Sequence, residues 1–283
     1  MKQEKYNLVA VIVTFNPNLE LFKEVITSLL PQLSKIYIID NGSNNLTEII
    51  KFENQKVNVI SLKKNMGIAY ALNIGVKYCL EENTDWILTL DQDTILFENA
   101  LKQVFNAYSK SDYTNEHIGI IAINHKNDLN KEEFVETNFV ITSGNLVNSK
   151  VFQKIKYRND FFIDQVDYEF DLNVLKLGYK ILRYTKPLMK HQIGIKDKTG
   201  KSFEPIWRVY YITRNSTFLV TRYNFPFKFY FFQLLHTYFR TFSALGIKSA
   251  PKLLVVFIKG LLDGLTGRLT NIYNYKNLIY ISI

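Results

Sequence analysis

A run of seven residues, Leu8–Thr14 (LVAVIVT), five of them β-branched and none charged, constrains this fold more than any other feature. It shows no polar–apolar alternation, so it suits a strand covered on both faces, as at the centre of a parallel sheet. Three further strands are expected at Lys35–Asp40 (KIYIID), Val57–Leu62 and Asp85–Leu90 (DWILTL). Between them, apolar residues recur at helical spacing over Leu19–Leu33 and Gly67–Leu80, and again over Phe97–Tyr108 after the fourth strand. Regular strand–helix alternation with short links predicts an α/β fold, a mostly parallel sheet flanked by helices. Farther on the pattern becomes mixed. Strands are expected at Ile118–Asn124, at Phe139–Val147 with an interruption at Ser143-Gly144, and at Lys180–Tyr184; Val166–Leu177 reads as a helix ended by Gly178. From Trp207 the chain reads as helical and aromatic.

In open α/β sheets ligands bind outside the carboxyl ends of the strands. The residues that follow the strands here are the ones with chemistry to offer. Asp91-Gln92-Asp93 follows DWILTL, and two carboxylates two residues apart on an extended chain project to one side. Hard oxygen ligands of that kind suit Mg²⁺ or Mn²⁺, which would in turn bridge a diphosphate. The plainer reading makes Asp93 the cap of a following helix. Asp40-Asn41-Gly42-Ser43 ends the second strand, where a carboxylate could accept from a nucleobase imide and a glycine permits close approach; an ordinary Asn-Gly turn is the alternative. Lys63-Lys64-Asn65-Met66-Gly67 places an amide, a glycine and two lysines at a helix start, suited to a diphosphate or ribose or simply to capping.

These segments together resemble the inverting glycosyltransferase family 2, whose members have the GT-A fold. The resemblance is carried in order by VAVIVTFNP, IYIIDNGSNN, NMGIAYALNIG, LTLDQDTIL and FFIDQVDYEFDLNVLKLGYKI, and spans residues 7–220. DQDT, FIDQVDYEF and H-x-I-G at His191–Gly194 look most like bacterial rhamnosyltransferases that draw on dTDP-L-rhamnose, although hexosyl and galactofuranosyl members using UDP-sugars share much of this wording. The resemblance implies that Thr14, Asp40, Asn65 and Gly67 contact the donor, and that Asp91 meets the donor phosphates. It further implies that Asp91 and Asp93 hold the metal, with His191 completing its shell. Asp167 matches the catalytic carboxylate. Relatives often carry Glu-Asp there and this chain has Val166-Asp167, with Asp164 three residues earlier. Three residues on a helix share a face, so either carboxylate could be the base; Asp167 is favoured. Arg214, in YYITRNS, could grip a phosphate-bearing acceptor through its guanidinium fork or form a salt bridge on a helix face.

The net charge of +9 is unevenly spread: residues 226–283 carry seven Lys/Arg against Asp263, a net +6, which leaves +3 for the rest. No zinc finger, recognition helix or RNP-type motif accompanies it, so nucleic acid is not the expected partner. FPFKFYFFQLLHTYFRTF and APKLLVVFIKGLLDGLTGRL are broken by Lys, Arg, His or Asp too often to span a bilayer. They are expected to form a helical tail from residue 221 to 283 that lies amphipathically on an anionic membrane, at its cytoplasmic face, where glycan or lipid-linked acceptors would be met. A core cap or a homodimer interface is the alternative. Cys79 alone excludes a disulfide framework and reads as a buried small hydrophobe, and MKQEKYNLVAVIVTF reads as a strand rather than a signal peptide. A nucleotidyltransferase would need a Gly-rich, Arg-bearing loop where this chain has TFNPNLE, and a dinucleotide enzyme would need G-x-G-x-x-G there. A non-catalytic glycan-binding protein would have no need of Asp91, Asp93 and Asp167 together.

Overall fold

The computed structural model describes residues 6–115, 117–126, 128, 130, 132–191, 195–196 and 202–269. Gln192–Gly194 of the H-x-I-G segment and the tail beyond Leu269 lie outside these residues. The chain forms two compact units: one comprises the chain to Tyr157 with Phe170–Gln192, the other Arg158–Glu169 with the chain from Ile193 on. The helical unit thus takes in more of the chain than the 221–283 tail read from sequence.

In the first unit, β1 (Leu8–Thr14), α1 (Leu19–Leu29), β2 (Lys35–Asp40), α2 (Leu46–Ile50), β3 (Val57–Ser61), α3 (Ile68–Glu81) and β4 (Trp86–Asp91) alternate as expected. They are followed by β5 (Thr94–Leu96), α4 (Ala100–Tyr108), β6 (Ile118–Asn124), β7 (Phe134–Glu136), β8 (Asn145–Asn148) and α5 (Ser149–Phe152). Helix α6 (Val166–Lys176) crosses from the second unit into the first, which β9 (Lys180–Pro187) and β10 (Met189–His191) complete. Eight strands make one sheet in the order β3-β2-β1-β4-β8-β6-β9-β7. β3, β2, β1 and β4 run parallel, β8 is antiparallel to β4 and β6, β9 is parallel to β6, and β7 is antiparallel to β9. The β-branched run of β1 sits in the interior of the sheet, with Val9 to Ile12 fully buried. Its register pairs Thr14 with Asp40 and Val13 with Asp91, and Asp40 in turn pairs with Ser61. The polar strand ends are thereby lined up along one edge. Cys79 is fully buried, as expected of a small hydrophobe, and burial pushes its thiol pKa up.

Four local differences from the sequence reading have physical causes. Helix α1 stops at Leu29 rather than Leu33 because Pro31 has no N–H to extend the ladder, and Gln32 N–H turns back to Leu29 O at 2.9 Å. Helix α4 begins at Ala100 rather than Phe97 because Thr94–Leu96 is drawn into strand pairing with β10. Asp93 therefore does not cap a helix. The strand expected over Phe139–Val147 exists only from Asn145. Val140 N–H is taken by Asp171 Oδ2 at 2.8 Å, and Gly144 turns the chain at φ +89°.

The second unit contains the short strands β11 (Ile195–Lys196) and β12 (Ser202–Phe203) and the helices α7 (Ile206–Arg222), α8 (Phe227–Leu245) and α9 (Ala250–Thr266). Helices α7 and α9 approach main chain to main chain. A Cβ at Gly260 would lie 2.9 Å from Tyr210 O, and one at Gly264 would lie 2.5 Å from Arg214 O. Asp263, the single acid of the tail, is buried and accepts from Tyr210 Oη at 2.7 Å and Lys259 Nζ at 3.0 Å. The opposite faces are apolar and exposed: Phe231, Phe232, Leu235 and Phe239 on α8, and Leu254, Ile258 and Leu262 on α9. Lys228, Lys248 and Lys252 are exposed beside them. Among the described residues no helix is long and apolar enough to cross a membrane.

The seating of α3 on the sheet makes a sharp prediction. A Cβ at Gly75 would meet Val11 Cγ2 at 1.9 Å and Ile39 Cγ1 at 3.0 Å. Helix propensity alone favours Gly75→Ala by up to about 1 kcal/mol. Overpacking costs about 1–3 kcal/mol and wins. The urea midpoint of the Ala variant falls; a rise would mean that α3 does not press on β1 as closely as this.

Candidate active site at the carboxyl edge of the sheet

The most concentrated chemistry lies where β4 ends. Asp91 is the last residue of β4 and Thr94 the first of β5, so Gln92 and Asp93 form the tight link between them. The Gln92 carboxamide clamps that link to the end of β1, accepting from Phe15 N–H at 2.8 Å and donating to Phe15 O at 3.4 Å. Antiparallel pairing of β5 with β10 sets His191 opposite Thr94. One ligand atom each from Asp91, Asp93 and His191 then lie within 4.8 Å of one another. His191 Nε2 is 3.9 Å from Asp91 Oδ2, and its Nδ1 is 3.4 Å from Asp93 Oδ1 without hydrogen-bond alignment. Asp93 Oδ1 is buried and accepts no hydrogen bond. A buried carboxylate oxygen left so is costly unless a cation meets it. Two carboxylates and an imidazole on that spacing fit Mn²⁺ or Mg²⁺.

A second corner forms at the ends of β1, β2 and β3, and brings Thr14, Asp40, Asn65 and Gly67 together. Asp40 accepts from Gly42 N–H at 3.2 Å and Ser43 N–H at 3.1 Å, with Thr14 Oγ1 and Ser61 Oγ each at 3.5 Å. Both Thr14 and Asp40 are fully buried. The expectation that Asp40 meets a base directly is therefore modified: in this structure its carboxylate holds the turn. Gly42, at φ +86°, lets that turn close onto Lys64, whose Cα and carbonyl carbon lie 2.6 Å from where a Cβ would stand. Asn41, not singled out in the sequence, ties the corner to α3. It donates to Asn65 Oδ1 at 3.1 Å and accepts from Met66 N–H at 2.8 Å, while Asn65 Oδ1 also takes Gly67 N–H at 3.0 Å.

The helical unit places the remaining candidates. Phe162, Asp164 and Gln165 have φ of 60°, 63° and 62°, left-handed values that cost non-glycine residues energy. Helix α6 consequently starts at Val166. Asp164 is not helical, shares no helix face with Asp167, and is gripped by Arg208 through Nε at 3.0 Å and Nη2 at 2.9 Å. That engagement gives Asp164 an ion-pair role in place of the expected helix face shared with Asp167. Asp167 lies in the first turn of α6, half-buried, with Oδ1 accepting Tyr168 N–H at 3.0 Å. Arg214 is also reassigned. It is fully buried, donating to Asn215 Oδ1 at 2.8 Å, Asp160 O at 2.9 Å and Phe161 O at 3.3 Å, and its guanidinium does not reach a surface acceptor. Burial pulls its pKa down despite the neighbouring Tyr210 and Tyr211. Asn215 Nδ2 lies within 3.0 Å of Phe161 O, Ile163 O and Asp164 O. Arg214 and Asn215 together brace the strained segment ahead of Asp167.

A mixed, mostly parallel sheet with Asp-x-Asp at its carboxyl edge is the architecture of a GT-A glycosyltransferase. Among solved structures the fold matches residues 1–349 of S. aureus TarS crystallised with UDP-GlcNAc, at a TM-score of 0.57 over 93% of this chain and 82% of that one, with 14% identity. Residues 9–175 match the family described as Glycosyl transferase family 2, and the chain belongs to that family. It is 30% identical to the dTDP-rhamnosyl transferase RfbF of Shigella flexneri, over 92% of this chain and 96% of that protein. It is also 26% identical to the hyaluronan synthase of Streptococcus pyogenes, over 62% of this chain but 39% of that protein. This chain is a glycosyltransferase.

The ring of His191 carries a pH prediction. Burial lowers its pKa, but the carboxylates of Asp93 and Asp91 more than offset that, and the net shift is upward. In the metal-free protein the charged ring thus stabilises the fold below its unfolded pKa of about 6.5, and this contribution is lost as pH rises through the raised value. A cation needs the neutral ring, so protons compete with it. If Asp91, Asp93 and His191 hold a cation, the melting-temperature rise on adding Mn²⁺ is expected to grow between about pH 6 and pH 8. A Mn²⁺ shift of constant size over that range would remove His191 from the coordination shell.

Proposed function

We propose that this glycosyltransferase moves L-rhamnose from dTDP-L-rhamnose onto a cell-surface polysaccharide or lipid-linked glycan, with inversion at the transferred sugar. The observation that carries the reading is the convergence of Asp91, Asp93 and His191 at the sheet edge, with Asp93 Oδ1 buried, without a hydrogen bond and 3.4 Å from His191 Nδ1. The rhamnose assignment rests on 30% identity to RfbF along 92% of the chain and on the DQDT and FIDQVDYEF segments. Asp91, Asp93 and His191 would hold Mn²⁺ or Mg²⁺, which when bound supplies positive charge to the donor diphosphate. The turn held by Asp40, with Thr14, Asn65 and Gly67, would receive the nucleoside. Asp167 is the proposed base. It takes the acceptor hydroxyl proton while the acceptor oxygen bonds to the anomeric carbon and the bond from that carbon to the diphosphate breaks.

General-base assistance is worth ~10²–10⁴ in rate. Asp167→Asn is isosteric and keeps an oxygen for Tyr168 N–H, so the helix start is kept, as is the thermal shift given by the donor with Mn²⁺. Its turnover falls about a hundredfold or more. A folded Asn variant with near-native turnover would discard Asp167 as the base. The same thermal-shift measurement across dTDP-L-rhamnose and UDP-hexoses tests the donor. Stabilisation by a UDP-hexose alone moves the assignment to a hexosyl- or galactofuranosyltransferase.

We further propose that α8 and α9 dock the enzyme peripherally on anionic lipid at the cytoplasmic face of the membrane, where lipid-linked acceptors gather. Aromatic and aliphatic side chains on their outer faces supply apolar anchorage, while Lys228, Lys248 and Lys252 supply attraction. The only carboxylate of the tail is turned inward, so nothing on these helices opposes a negative surface. The protein sediments with vesicles of phosphatidylglycerol at low salt. Phe232→Ser with Phe239→Ser reduces that binding several-fold while circular dichroism is unchanged. A folded protein that ignores such vesicles and sediments as a dimer would assign these faces to self-association instead.

A further inference from the structure

The Ser143-Gly144 interruption, unexplained by the nucleotide and metal roles above, is drawn into the site by the fold. Gly144 N–H donates to Thr89 O at 2.8 Å and Gly144 O accepts from Ile123 N–H at 2.8 Å, so the turn is pinned between β4 and β6. A glycine is favoured there because the turn stands at φ +89°, a conformation L side chains rarely adopt, and a Cβ would also press on Met189 Sδ of β10. Ser143 is thereby delivered to the end of β4. Its Oγ accepts Asp91 N–H at 2.9 Å and lies 2.6 Å from Thr94 Oγ1, which lies 2.7 Å from His191 Nδ1. Thr94 and Ser143 are 0% and 1% exposed. Two buried hydroxyls thus form a continuous link from the main chain of one candidate ligand to the ring of another.

We infer that Thr94 and Ser143 are positioning residues that hold the ring of His191 with Nε2 toward the cation and partner the Nδ1-protonated tautomer that binding requires. The inference rests on the reading of Asp91, Asp93 and His191 as a cation site. Nδ1 is already within hydrogen-bond distance of Thr94, whereas Nε2 points toward Asp91 Oδ2 at 3.9 Å. The Thr94 hydroxyl has one proton. When it donates to Ser143 Oγ, it accepts from Nδ1–H, and the lone pair of the ring is left on Nε2. In the opposite sense Nε2 carries the proton and cannot ligate. Cation binding therefore selects the first arrangement, and each hydroxyl favours binding by giving that arrangement a partner. Outer groups that orient a ligating histidine typically contribute 10–100-fold in metal affinity.

The test is calorimetric Mn²⁺ binding to the full chain without donor, a readout independent of turnover. Wild type and His191→Ala are measured first, and a wild type that binds no Mn²⁺ would defeat the cation site itself. With wild-type binding in hand, Thr94→Val and Ser143→Ala each weaken Mn²⁺ binding about tenfold or more, and Thr94→Ser, which restores the hydroxyl, recovers most of it. Imidazole ¹⁵N spectra with Mg²⁺ show the Nδ1-protonated tautomer at His191 in wild type and a mixture in Thr94→Val. Circular dichroism checks folding; if the valine variant does not fold, Ser143→Ala decides alone. Folded variants that bind Mn²⁺ as wild type does would overturn the inference.

Discussion

The chemistry of the first unit depends on the pairing of Thr94 with His191, two residues 97 apart in the chain, across strands of three residues each. Asp91 and Asp93 stand at their own strand end, held there by Gln92 on Phe15 and by Ser143 Oγ on Asp91 N–H. His191 reaches them only because β10 folds back along β5. Three-residue strands have little stability of their own. The buried hydroxyls of Thr94 and Ser143 stiffen this one, since leaving either unpaired would cost about 1–3 kcal/mol. The site is assembled by a weak pairing made firm by side-chain hydrogen bonds.

How much of this could be read from the sequence differs by element. Strands β1 to β4 announce themselves because a buried parallel strand must be apolar along its whole length, and the rule about strand ends then points to Asp40 and Asp91 without any coordinates. β5 and β10 are too short to show a period. Ser143-Gly144 was visible as a break, but its destination depends on the antiparallel insertion of β8 between β4 and β6, which no local pattern encodes. Asn41 escaped notice because an Asn-Gly turn explains it adequately until Asn65 and Met66 are seen against it.

Burial was the other property hidden from sequence. Arg214 and Asp164 are charged residues of a kind that usually meets solvent, and both looked suited to a ligand. Arg214 is instead enclosed, and with Asn215 it satisfies carbonyls of a segment whose left-handed residues release their oxygens from regular structure. Asp164 is neutralised by Arg208, which also contacts Glu204 at 3.0 Å. An arginine carries five donors in a fixed fork, enough to hold an irregular turn as a helix would hold its own carbonyls. Strain and brace together set where α6 begins, and hence where Asp167 stands in its first turn.

Gly260 and Gly264 bring α9 so close to α7 that its inner side is backbone lying on backbone. Such a contact depends on what side chains are missing, and it leaves the opposite side about half exposed. The two sides of α9 therefore answer to separate demands. The inner one tolerates almost no added atom, while Leu254, Ile258 and Leu262 can be exchanged with little effect on how the helix seats. A descendant of this chain could acquire a new surface at α9 while the glycine contact beneath it stayed the same.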